Sequence, residues 1–132
     1  MTPGSVHSTE GSEATIRERD VSSPYETDEG LREIIVQFVA NLGDEIPRLS
    51  EVLGRADLAE LVRLAHRLKG SAKVLGFDTL GNVFGDVEEL ARESMGMHSQ
   101  GHVPISADER AALLTQGLVR IARLHEAMRL RF

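Results

Sequence analysis

The stretch "LAELVRLAHRLKGSAKVLG", residues 58–76, decides how this chain folds. Each residue of an α-helix advances about 100° around the axis. With His66 set at zero, Leu58, Leu61, Leu64, Ala65, Leu68, Ala72 and Leu75 all fall between about 160° and 280°, one apolar stripe centred near about 220°. Asp57 opens the segment with a capping-box spacing to Glu60. Gly76 closes it as a left-handed terminator. The spacing therefore predicts a helix over 57–75 that buries one face. His66 lies roughly 140° from the centre of that face, so its ring is at least partly exposed.

The same pattern extends in both directions. Leu31, Ile34, Ile35, Phe38, Val39, Leu42, Ile46, Leu49, Val52 and Leu53 recur at spacings of three and four. They predict a helix over 28–54, capped by Thr27, with Asp28 and Glu29 in its first turn. Pro47 has no N–H for the carbonyl of Gly43 and its ring crowds that group, so a kink is expected there. Asp78 is expected to cap a helix over 78–96 carrying Leu80, Val83, Phe84, Val87, Leu90 and Ala91. "GMHSQGHVPI", residues 96–105, reads as a loop. Ser106 and Glu109 form another capping box before a helix over 106–131, with Leu114, Leu118, Ile121, Leu124, His125 and Met128 on one face. Four amphipathic helices with no strand signal indicate an all-α, antiparallel four-helix bundle.

Residues 1–26 read differently. They are rich in Ser, Thr, Glu and Gly and carry too little apolar surface to offset ordering, so a flexible acidic leader or linker is expected, with a short helical turn around Ala14 to Arg19. The domain proper is 27–132. Of the net charge of −6, residues 1–30 hold seven acids and two arginines, leaving the bundle nearly neutral. No basic excess favours nucleic acid. The chain has no cysteine, which excludes disulfides and thiolate metal sites. No apolar run approaches the roughly 20 residues that span a bilayer. A monomeric, cytoplasmic domain is expected.

The surroundings of His66 are locally positive. Residues 57–75 hold four bases and two acids. Val62, Lys69, Gly70 and Lys73 lie within about 60° of the histidine, with Arg63 at the margin. Gly70 costs roughly 1 kcal/mol against Ala in a helix and leaves open space beside the ring. Such a surface suits an incoming anion, or one carried covalently; the plainer reading is an ordinary surface histidine. His125 reads as a core-edge residue with a satisfied hydrogen bond. His98 and His102 sit four apart in the loop without a third ligand in view, which does not make a zinc site.

His66, Lys69, Gly70 and Ser71, spelling His-x-x-Lys-Gly-Ser, together with Gly76 and Leu80 at matching spacing, resemble the histidine-phosphotransfer (Hpt) domain of bacterial two-component phosphorelays. The resemblance covers about residues 28–131. It implies that His66 is the phosphoacceptor, taking PO₃ from a receiver-domain aspartyl phosphate and passing it to another receiver. It further implies Lys69 as charge partner of the phosphoryl oxygens, with Lys73 as a weaker second. Val62, Arg63, Gly70 and Lys73 would form the docking patch for response-regulator receivers or a hybrid histidine kinase. No cofactor or metal of its own is implied; Mg²⁺ belongs to the partner receiver. The chain also resembles the phosphoacceptor domain of chemotaxis-type kinases, whose third helix carries a histidine and a glutamate that orient the acceptor ring. Here those positions are Gly85 and Glu88. Glu88 is thus a possible orienter of His66, against the plainer reading of a solvated helix residue. Two alternatives accompany the phosphocarrier: a phosphoacceptor domain of a larger kinase, and a bundle that only docks a receiver. No ATP-binding motif accompanies these residues.

Overall fold

A computed structural model describes residues 15–96 and 105–132. Its elements are α1 (Glu18–Val21), α2 (Glu29–Gly54), α3 (Leu58–Val74), α4 (Asp78–Ser94) and α5 (Ala107–Arg131). The turns between α2 and α3 and between α3 and α4 span only three residues each, Arg55–Asp57 and Leu75–Phe77, so the chain must double back at each. α3 packs on α4, α4 on α5, α5 on α2 and α2 on α3, whereas the two diagonal pairs do not meet. That ring of neighbours is a helical bundle around one core. Ile35, Leu42, Leu49, Leu61, Leu80, Phe84, Ile121, Leu124 and Met128 are fully buried within it. Among the described residues there is no strand, and no helix is long and apolar enough to cross a membrane.

The caps follow local chemistry, with two departures from expectation. Asp57 accepts the Glu60 N–H at 3.3 Å and Ser106 accepts the Glu109 N–H at 3.0 Å. For α2 the cap is Asp28, accepting from Leu31 N–H at 3.0 Å, and not Thr27. The ionised carboxylate one residue on is the stronger acceptor for an orphan donor. At α4 the cap position falls on Phe77, with Asp78 inside the first turn. Phe77 is drawn inward by the core: it is buried and stacks on Phe38 at 6.1 Å, and Phe132 meets it edge-on at 5.9 Å.

Residues 15–26, expected to belong to the flexible leader, lie along the bundle: Val21 and Ser23 are buried, and α1 packs on α4 and α5. Polar contacts fasten this segment. Ser23 Oγ donates to the Leu75 carbonyl at 2.6 Å, Thr79 Oγ1 donates to Asp20 at 2.9 Å, and Arg131 binds Glu26 at 2.7 Å. Residues 1–14 and 97–104, including His7, His98 and His102, lie outside the described residues.

Gly76 is the hinge of this arrangement. Its φ is +85°, and a Cβ there would stand 2.6 Å from Pro24 Cδ. Gly76→Ala is expected to lose about 1–3 kcal/mol, from left-handed strain plus displacement of the N-terminal segment. Gly54→Ala, at a helical position with nothing within 4 Å, is expected to be neutral or to gain up to about 1 kcal/mol. Urea denaturation of the two variants checks the contrast.

Candidate functional site

The tight turn at Leu75–Phe77 sets α3 against α4 along their length. It thereby brings residue 66 on one helix opposite residue 88 on the other. His66 Nδ1 lies 3.0 Å from Glu88 Oε2; the His66 side chain is 65% exposed and that of Glu88 8%. The histidine stands at the edge of the bundle, as its angular position predicts. Glu88 is not the solvated residue that the plainer reading expected.

Burial alone would push the Glu88 carboxyl upward. Hydrogen bonds from Arg92, Lys69 and His66 more than offset it and bring the group down to about 2. Arg92 Nη2 stands 2.8 Å from Oε2 and Lys69 Nζ 2.9 Å from Oε1. An ionised carboxylate only accepts, so the proton of a neutral His66 ring resides on Nδ1. The lone pair is then on Nε2, the nitrogen available for chemistry.

This carboxylate also links pH to stability. Its folded value, about 2 against 4.5, contributes stability that is fully present above about pH 4.5 and is lost as pH falls through about 2. The contribution is up to about 3 kcal/mol. The stability gap between the parent and Glu88→Gln is expected to be widest near neutral pH and to shrink by more than half by about pH 3. Denaturation curves across that range measure it.

The lysines lie where α4 has glycines. A Cβ at Gly85 would approach Lys69 Cδ to 3.3 Å, and one at Gly81 would approach Lys73 Cγ to 2.5 Å. Gly85 thus leaves a trough that the Lys69 stem fills. Lys73 does not converge on His66. Its Nζ binds Asn82 Oδ1 at 2.8 Å, about 10 Å further along the helix.

Val62, expected in the docking patch, is only 8% exposed. It floors a shallow cleft whose walls include His66, Arg48, Arg67 and Arg92, because flanking helices cover more of the α3 shoulder than a single-helix projection shows. Arg63 is exposed and binds Glu60 at 3.0 Å. Gly70 is exposed, and a Cβ there meets nothing within 4 Å. His125 belongs to the core: its Nε2 is 2.9 Å from the Val39 carbonyl, and Gly43 makes room for its ring. Among the described residues no group of three or more His, Asp or Glu is placed to hold a metal ion.

Sequence reasoning missed Arg92. The signal was present, since Glu88 and Arg92 are four apart on one helix, a spacing that pairs opposite charges.

The Hpt domain family matches residues 33–129 of the chain. A sensor histidine kinase, AruS of Pseudomonas aeruginosa, is 40% identical over 63 residues, covering 48% of this chain and 6% of that kinase. The chain thus spans a small fraction of the length of this curated relative. No solved structure matches it.

Proposed function

The chain belongs to the Hpt domain family, whose members carry phosphoryl groups on histidine in two-component signalling, and on that basis we propose that His66 is its phosphoacceptor. The observation that carries the proposal is an imidazole 65% open to solvent whose Nδ1 is tied to a buried carboxylate at 3.0 Å. Nε2 attacks the phosphorus of an aspartyl phosphate on a receiver domain, in line with the departing carboxylate. As the N–P bond forms, the ring becomes positive. Glu88 stabilises that charge through Nδ1–H, as the acidic member of a catalytic triad does for its histidine. The reverse step hands PO₃ to an aspartate on a second receiver.

Lys69, part-exposed beside Glu88, supplies positive charge near the phosphoryl oxygens. In this reading the chain is a phosphocarrier, and the Mg²⁺ and acidic cluster reside on the receiver. Gly70 provides the close approach that docking needs: Gly70→Leu is expected to weaken receiver binding about tenfold with little loss of stability, measured by titration and thermal melting. Unchanged affinity would place the docking face elsewhere.

The 40% identity to part of a sensor histidine kinase favours one further reading, a phosphoacceptor domain that works within a larger kinase. Transfer profiling against phosphorylated receivers tests the proposal. The expected product is an adduct labile in acid and stable in base. Labelling by a kinase core and ATP, with none from any receiver, would select the second reading. A chain that binds receivers without accepting phosphate from either source would refute both.

A further inference from the structure

We propose that Arg92 is a positioning residue for His66: it locks the Glu88 carboxylate from its own helix, so that the carboxylate holds the ring in one tautomer. The inference rests on His66 as phosphoacceptor.

A carboxylate hydrogen-bonded to an imidazole fixes its orientation only while the carboxylate is itself held. Two cations hold it, on different oxygens. Lys69 is on Oε1, whereas Arg92 shares Oε2 with His66, at 2.8 Å through Nη2 and 3.3 Å through Nε.

Arg92 differs from Lys69 in two further respects. Its guanidinium directs two N–H groups at one oxygen, which restrains rotation of the carboxylate more than an ammonium does. It also sits on α4 with Glu88, while Lys69 and His66 both ride on α3. Arg92 thus holds Glu88 in place relative to its own backbone, and α3 docks onto a carboxylate already set.

The other charged groups around the ring are partnered among themselves. On α3, Arg63 binds Glu60; from α2, Arg48 reaches the same Glu60, and Glu45 of α2 binds Arg67. Arg92 is therefore the cation placed directly on the oxygen that holds the acceptor ring.

Arg92→Gln removes the charge and Arg92→Lys retains it without the two-pronged geometry. The first readout is imidazole ¹⁵N chemical shifts of His66, which report its tautomer. The second is the rate of labelling by phosphoramidate, in which the P–N bond of the reagent breaks, ammonia leaves, the Nε2–P bond forms and Nδ1 keeps its proton. Arg92→Gln is expected to weaken the bias toward the Nδ1–H tautomer, because a carboxylate no longer held from its own helix turns away from the ring part of the time, and to slow labelling about three- to tenfold. Arg92→Lys should recover part of both. Parental tautomer and rate in Arg92→Gln would overturn the inference. A parent protein that takes no label on His66 would instead overturn the assignment of His66, while the ¹⁵N shifts would still decide the role of Arg92.

Discussion

Replacing His66 with Gln is expected to abolish phosphoryl acceptance, a loss of at least about 10³-fold, while the fold survives. The glutamine amide has no basic nitrogen to attack phosphorus, since its lone pair is delocalised into the carbonyl. Its N–H still reaches toward Glu88, so the buried carboxylate is not abandoned. With the side chain 65% exposed, little packing is lost, and the stability change should stay within about 1 kcal/mol. Incubation with a labelled receiver phosphate, alongside a thermal melt, separates the two effects. Label retained at the parental level would mean that another residue accepts the group.

The second large effect belongs to Glu88. Glu88→Ala is expected to slow transfer by about 10²-fold, because the ring loses both its fixed tautomer and the anion that stabilises its developing charge. Stability should fall as well, by about 1–3 kcal/mol. The low end of that range is favoured by the side chains of Lys69 and Arg92, 31% and 36% exposed, which turn to water when the carboxylate is gone. Glu88→Gln preserves shape and one acceptor but not charge, and is expected to lie between the parent and Glu88→Ala in transfer rate. Equal rates for all three proteins, measured with one receiver at one pH, would reduce Glu88 to a structural residue.

The helices were legible because periodicity is a local property. The apolar stripe over Leu58–Leu75 placed His66 at the rim, and the structure finds it there. Gly76 at φ +85° ends α3 where a left-handed residue was expected. What local patterns did not carry was partnership between distant segments. Scarce apolar surface made residues 1–26 look unable to order, yet polar side chains anchor 15–26. Glu26 binds Arg131 across 105 positions, and Asp20 accepts from Thr79 across 59.

The site divides along the same line. Lys69 and His66 share one helix, so their proximity follows from spacing alone. Glu88 reads as a surface acid on the α4 helical wheel, and only the docking of α3 makes it a buried carboxylate with three basic partners. Val62 departs in the opposite sense. Its angular position on an isolated helix is exposed, but neighbouring elements close over that shoulder. Arg92 lay within reach of the four-residue rule but gained meaning only once Glu88 was known to be central.

The most direct test is to phosphorylate the ¹⁵N-labelled chain and identify by ³¹P and ¹⁵N NMR which nitrogen bears phosphorus. The account predicts a single phosphoryl group on Nε2 of His66, with Nδ1 still carrying its proton toward Glu88. Phosphorus bonded to Nδ1, or to any other residue, would contradict it.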